Sequence, residues 1–245
     1  MSIVVFACVS GGTLLGMFLS SKLPVHHQSS RSRDIVMLAM GLVATTAAVV
    51  LGLLVSSAKN FYDTQRSEMT QLAANFILLD RALAYYGPEA AEARATLRTV
   101  LADQMGSSQA TIKSLGTIKS GVIVGDSLFD KLQELSPQND NQRSMKAQAL
   151  SVAFQLGHTR WLMFEQDTLP VPHLLLAMLT VWLVLLFLSF AIFAPRNLTV
   201  ISGLFMAAFA VSGAIFLILE LYHPQTGLIR ISDAPLRAAL AQLGQ

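Results

Sequence analysis

Four long apolar stretches constrain this chain more than any other feature of its sequence. A membrane-spanning helix needs about 20 apolar residues to cross roughly 30 Å of hydrocarbon, and residues 3–20, 35–58, 171–194 and 198–222 meet that length. The composition agrees, because 53% of the 245 residues are hydrophobic and only 13% are charged, well below the roughly 25% of soluble domains. The sequence therefore predicts an all-α integral membrane protein with four transmembrane helices.

The first stretch is expected to be retained rather than cleaved as a secretory signal. Nothing basic precedes its apolar run, and no small-residue cleavage site ends it before Lys22. The single cysteine, Cys8, lies within it and has no partner in the chain for a disulfide. The predicted organisation is residues 1–58 for the first two spans with a basic loop, 59–170 for a helical extramembrane domain, 171–222 for the last two spans, and 223–245 for a C-terminal tail.

The insert between the second and third spans is polar and nearly balanced in charge. From Lys59 to Asp167 it has 11 Lys or Arg against 12 Asp or Glu, which argues against a nucleic-acid-binding surface. The sequence does not decide on which side of the membrane this insert lies. The short loops on the opposite side are basic, which favours a cytoplasmic position for those loops, but basic residues also flank the spans on the insert side.

The second span is predicted to continue beyond the membrane as one long helix. From Ile35 to Tyr86 there is no proline, and Gly87 with Pro88 ends the pattern. Past the membrane the apolar residues recur at steps of three and four, as in an amphipathic helix: Met69, Leu72, Phe76, Leu79 and Leu83. Further helices are expected to about Met105, from Asp126 to Leu135, and from Arg143 to Gln166, so the insert is predicted to be an all-helical bundle. Residues 106–125 read as a loop, with one short strand possible at Gly121 to Val124.

Several residues invite a chemical interpretation, and each has a simpler one. The stretch VIVGDSL resembles the nucleophile block of GDSL hydrolases, with Ser127 as nucleophile, but no Asp-x-x-His supplies the base, and Ser127 better fits a helix cap. His26 with His27, and His158 with Glu165 and Asp167, could bind a metal but fit solvated surfaces. We therefore expect no catalytic residues, no metal site and no cofactor.

The second span carries small residues where larger apolar ones would be usual. They share one face of the helix, which we call the small-residue face: Gly41, Ala44, Thr45, Ala48, Gly52 and Ser56. Such a face allows close packing of another helix, for which Gly12 and Gly16 of the first span have the matching spacing. It could equally line a water-filled path between several copies of the chain. Periodicity alone leaves both uses open.

Charged residues lie at the ends of this span and near the end of the fourth. Asp34, Lys59 and Arg66 are the expected charges at the mouths of such a path. Glu220 lies in the last turn or so of the fourth span, where an ionisable group is either functional or reaches the interface. Both interpretations of Glu220 stay open.

Three long stretches resemble the bacterial bestrophin-like family of unknown function. They are GLVATTAAVVLGLLVSSAKNFYDTQ, ANFILLDRALAYYGPEA and LILELYHPQTGLIRISDAPLRAALAQL. The family is distantly similar to bestrophins, which are pentameric anion channels whose second span lines the pore and continues into a cytoplasmic helical domain. The resemblance implies a homo-oligomer, a pentamer by that analogy, in the bacterial inner membrane, conducting inorganic ions through a path lined by the small-residue face.

This chain departs from the family pattern at two places. The pattern has an acidic residue before the proline of the C-terminal motif and an aromatic one after it, whereas here His223 and Gln225 flank Pro224. The aromatic neck of a true bestrophin is also missing from the second span, since Phe61 and Tyr62 lie beyond it. The expected function is a passive, anion-conducting channel in the lipid bilayer; the alternative is a non-conducting scaffold or sensor whose helical insert binds a partner.

Overall fold

A computed structural model of the protein describes residues 2–22, 30–109, 127–167, 173–195, 197–224 and 227–243. Within these ranges the chain is helical and contains no strand, as predicted for an all-α protein. The chain divides into two compact units. Unit 1 comprises Met1–Tyr62 with Pro170–His223, and unit 2 comprises Asp63–Leu169 with Pro224–Gln245. The predicted loop strand, His26, His27, Gly125 and Asp126 lie outside the described residues.

Unit 1 contains the helices that could cross a membrane. These are α1 (Ser2–Lys22), the first part of α2 (Ser30–Tyr86), α6 (His173–Phe193) and α7 (Leu198–Leu221). In the described residues, four helices are long and apolar enough to span a bilayer: Ser2–Lys22, Asp34–Tyr86, Leu174–Phe193 and Leu198–Leu221. The four predicted helices are therefore confirmed in number and position by length and composition.

Helix α1 packs closely on α6. A Cβ added at Gly12 would lie 3.0 Å from Val184 Cγ1, and one at Gly16 would lie 2.5 Å from the backbone oxygen of Leu188 and 2.8 Å from the Cβ of Ala191. No side chain fits at Gly16 between the two backbones, and one at Gly12 would need Val184 to shift by a few tenths of an ångström. The expectation that Gly12 and Gly16 face the small-residue face of the second span is wrong, because α6 already occupies that surface.

In the part of unit 2 that the structure describes, the second part of α2 is joined by five shorter elements. They are a 3₁₀ turn (Pro88–Ala90), α3 (Ala91–Gln109), α4 (residues 127–134), α5 (Asp140–Asp167) and α8 (Ala234–Gln242). The predicted stripe of α2, from Met69 to Leu83, is buried throughout, with Phe76 at 0% exposure. It packs with Leu97 and Leu101 of α3 and with the inner side of α5, formed by Ala149, Val152, Leu156 and Met163. The amphipathic patterns thus predicted the core of unit 2.

The end of α2 is held by one buried glutamine. Gly87 has φ +125°, a conformation that L side chains rarely adopt, and it turns the chain into the 3₁₀ turn. The Gln142 side chain donates its Nε2–H to the backbone oxygen of Tyr86 at 3.1 Å and accepts from the backbone N–H of Gln138 at 2.7 Å. One side chain therefore ties the end of α2 to the turn before α5, and it gives the buried backbone oxygen of Tyr86 the partner it needs.

The C-terminal segment belongs to the core of unit 2. Leu236 and Ala239 of α8 are fully buried, and α8 packs on α3. The guanidinium of Arg98 donates to the backbone oxygen of Leu243 at 2.9 Å. Helix α8 was not predicted from the sequence, because it is only nine residues long and lies in the stretch taken as a C-terminal tail.

Candidate pore-lining surface

Helix α2 presents two different faces within unit 1. Ala47, Leu54 and Ala58 are buried, at 4%, 3% and 0% exposure. At 100° per residue, the small-residue face lies roughly 130° around the helix from these three. Its members are exposed except for Ala44, which is half-buried: Gly41, Thr45, Ala48, Gly52 and Ser56. The helix therefore packs on its own unit through one face and leaves its small residues outward.

The small residues of α2 are not required by packing within the chain. A Cβ added at Gly41 or at Gly52 would meet no atom of the described residues within 4 Å. The same test gives close contacts for Gly12 and Gly16 on α1. Gly12 and Gly16 on α1 thus serve the fold of the chain, whereas Gly41 and Gly52 on α2 have open space beside the helix.

The hydroxyl groups of Thr45 and Thr46 on α2 form hydrogen bonds with backbone oxygens of the same helix. Thr45 Oγ1 lies 3.1 Å from the backbone oxygen of Gly41 and 2.8 Å from that of Leu42. Thr46 bonds in the same way to Leu42 and Val43, at 3.1 and 2.9 Å. A hydroxyl that donates to its own helix can face lipid, a second helix or water without an unpaired donor. No Asp, Glu, Lys or Arg interrupts residues 35–58.

The three predicted mouth charges lie at the exposed surface of α2. Asp34, Lys59 and Arg66 are all exposed residues. Asp34 comes before the apolar residues of α2, while Lys59 and Arg66 follow them. The structure thus separates one acidic side chain from two basic ones along the helix.

A contact between α2 and the end of α7 was not found from the sequence. Ser57 Oγ and the Tyr222 hydroxyl lie 3.1 Å apart, and the rings of Phe61 and Tyr222 have centroids 5.4 Å apart. The contact fixes the rotation of α2 within unit 1 and therefore the direction of the small-residue face.

The ionisable residue at the end of α7 lies beside this contact. Glu220 is half-buried, and the next turn ends with His223, whose Nδ1 lies 2.8 Å from the backbone oxygen of Leu219. Glu220 is thus neither fully buried nor at a free chain end. Its functional and interfacial interpretations both stay predictions.

The other residues considered for chemistry are not gathered into a site. Ser127 is exposed at the start of α4, and His158 is exposed on α5. The side chains of Glu165 and Asp167 lie outside the described residues. Among the residues the structure describes, no three His, Cys, Asp or Glu side chains are placed to hold a metal ion.

The charged groups of unit 2 mostly stabilise the fold. Asp80, 8% exposed, accepts two hydrogen bonds from Arg94, at 2.8 and 2.9 Å. The hydrogen bond to Asp80 raises the pKa of Arg94. Burial lowers the pKa of Arg160, and the charge of Asp103 opposes that shift. The two-bond geometry of the first pair joins α2 to α3.

Comparison with known proteins supplies the family. Searches of curated proteins and of solved structures found no match. The family model described as a bestrophin-like domain matches residues 7–236. That range includes most of both units and leaves out the first residues of α1 and most of α8. The chain therefore belongs to the bestrophin-like family.

Proposed function

We propose that this protein is a homo-oligomeric membrane channel that conducts inorganic anions passively along α2. The observation that carries the proposal is the outward small-residue face, where added Cβ atoms at Gly41 and Gly52 meet nothing in the described chain. Several copies of such a helix around an axis would leave room for water beside Ala48, Gly52 and Ser56. The distant relation of the family to bestrophins, which are anion channels, supports the same interpretation.

The preference for anions rests on the charges at the ends of the path. Lys59 and Arg66 are exposed on the unit 2 side, against Asp34 on the other. In a ring each of these side chains is repeated once per subunit, so the basic end would concentrate anions. The apolar interior contributes no charge of its own, so selectivity is expected to be set at the mouths. Five subunits are proposed by analogy with bestrophins.

The proposed setting is the bacterial inner membrane, with unit 2 outside the lipid. The long α2, 57 residues or about 85 Å at 1.5 Å per residue, is far longer than the bilayer, so it is proposed to extend from the membrane into unit 2. By analogy with bestrophins unit 2 is cytoplasmic. Cysteine labelling of the exposed Arg143 position in intact cells would test that side: a membrane-impermeant reagent should label only after lysis.

Chloride flux through matched variants tests the channel. The purified protein is reconstituted into chloride-loaded liposomes, and efflux is followed with a chloride electrode. Gly52→Trp should lower the flux at least tenfold, because the indole fills the path. Leu53→Trp is the matched control, since Leu53 is 66% exposed but roughly 100° around the helix. Equal flux through both variants would show that α2 does not line the path.

Ion preference and subunit number provide the remaining tests. Lys59→Glu should shift the reversal potential in a chloride gradient toward cations, whereas Lys131→Glu, on α4, should not. Native mass spectrometry counts the subunits. A ring of subunits that carries no chloride or potassium flux would favour the alternative function, which is a non-conducting scaffold whose unit 2 binds a partner. A monomer would contradict the channel.

A further inference from the structure

Helix α5 has a second face that is apolar and turned away from the core of unit 2. We call it the α5 outer face; at 100° per residue it lies roughly 170° from the buried side of the helix. Phe154 is 70% exposed and Trp161 is 60% exposed. Its residues are all exposed: Ala147, Phe154, Gly157, His158 and Trp161. Such large apolar side chains on an outer face typically mark an interaction surface.

The charge pattern of α5 also differs from that of a solvated helix. Between Lys146 and Arg160 the sequence contains no Asp, Glu, Lys or Arg. A helix with one face in water normally carries charges on that face, and the core of a protein interface is depleted of them. In the described residues, α5 is not among the helices apolar enough to span a membrane. A protein partner explains this pattern better than lipid.

The shape of the outer face fits a partner helix. Phe154, Gly157, His158 and Trp161 stand at positions i, i+3, i+4 and i+7, which are the four residues that form a hole in knobs-into-holes packing. Gly157 is the floor of this hole, and a Cβ added there would meet no described atom within 4 Å. A hole with a glycine floor and aromatic walls accepts a large side chain.

The same unit carries a matching side chain on another helix. Leu78 and Tyr85 of α2 are 47% and 74% exposed, and seven residues separate them, so they lie about 20° apart around the helix. They form a ridge, the α2 ridge, with the same seven-residue spacing as Phe154 and Trp161. Pairing hole and ridge between copies gives either a two-fold dimer, in which each copy's ridge enters the other's hole, or a head-to-tail ring where the rotation closes.

We propose that the α5 outer face of one subunit receives Tyr85 of a second copy of the chain. The contact would bury the exposed parts of Tyr85, Phe154 and Trp161, together about 400 Å² if each ring offers 150–250 Å². That area suits the centre of an interface that buries about 800 Å² per partner. The proposal does not depend on ion conduction, and it assigns unit 2 a role in assembly.

Site-specific photo-cross-linking tests the contact in the full-length protein in nanodiscs. Tyr85 is replaced by p-benzoylphenylalanine, which keeps an aromatic knob. Irradiation should give cross-linked dimers and higher species, with the adduct mapped by mass spectrometry to residues 154–161. The same probe at Gln155, exposed on α5 but off the outer face, should cross-link at least tenfold less. No interchain product from Tyr85, or an adduct elsewhere, would overturn the proposal.

A second variant separates assembly from folding. Gly157→Leu fills the hole without a clash in its own chain, so thermal stability should hold while the subunit dissociation constant rises at least tenfold. Unchanged assembly would contradict the proposal. If brominated lipids quench Trp161 in a Trp182→Phe background, the face lies on the bilayer and the proposal fails. A cross-linked ring that carries no chloride flux would support this contact between subunits and would contradict the proposed channel function.

Discussion

Replacing Gly16 by alanine should destabilise unit 1, although alanine is the better helix former. The new Cβ would lie 2.5 Å from the Leu188 backbone oxygen. An ordinary carbon contact is about 3.5 Å or more, so α1 and α6 would have to separate by roughly 1 Å. Overpacking of this kind costs about 1 to 3 kcal/mol. The gain in helix propensity, about 1 kcal/mol, offsets part of it.

Gly11→Ala is the matched control for this prediction. Gly11 lies on the same helix, and a Cβ there meets nothing in the described chain within 4 Å. It should therefore stabilise the helix by up to about 1 kcal/mol. The two variants should differ by about 2 kcal/mol, which corresponds to roughly 4 to 8 °C in Tm for a chain of this size. Thermal unfolding in one detergent, followed by circular dichroism, measures this difference. Equal Tm values would refute the close packing of α1 on α6.

Two further predictions concern unit 2. Tyr86 is buried, and its hydroxyl has no hydrogen-bond partner among the described residues, so Tyr86→Phe should leave stability unchanged or raise it by about 1 kcal/mol in a denaturant titration. Burial raises the pKa of Tyr86 above 10.0, and the charge of Glu89 adds to this shift. The wild type should therefore keep full stability below about pH 10 and lose stability as the pH rises through the folded-state pKa of Tyr86. The phenylalanine variant should lose less stability over this range. Gln142→Leu leaves the buried backbone oxygen of Tyr86 without its side-chain donor and should cost about 1 to 3 kcal/mol. Gln155→Leu, on an exposed position of the same helix, should change stability by less than about 0.5 kcal/mol.

The local patterns of the sequence predicted the helices well, because each pattern has a direct physical cause. Apolar length predicted the four long helices of unit 1, and steps of three and four predicted the buried residues of α2, such as Phe76. The single signal of Gly87 with Pro88 placed the end of α2 correctly. These features depend on residues that are close together in the sequence.

Features that depend on distant residues were missed or assigned wrongly. The contact of Ser57 with Tyr222 joins residues 165 positions apart, and no periodicity reports such a pair. The partner of Gly12 and Gly16 was misassigned because small-residue spacing predicts a close helix without specifying which one. The outer face of α5 was overlooked because Phe154 and Trp161 do not belong to the apolar stripe of this helix that forms the core.

Some glycines of this chain are explained by its fold, and others are not. Gly16 is explained by α6, and Gly87 by its positive φ. Gly41 and Gly52 have neither reason, because they lie in regular helix beside open space. Each weakens a helix by about 1 kcal/mol relative to alanine, so the fold of the single chain favours replacing them. In the proposed channel this cost is offset outside the chain, by a second subunit or by a path through the assembly, and only a variant measured in the assembled protein can tell these two apart.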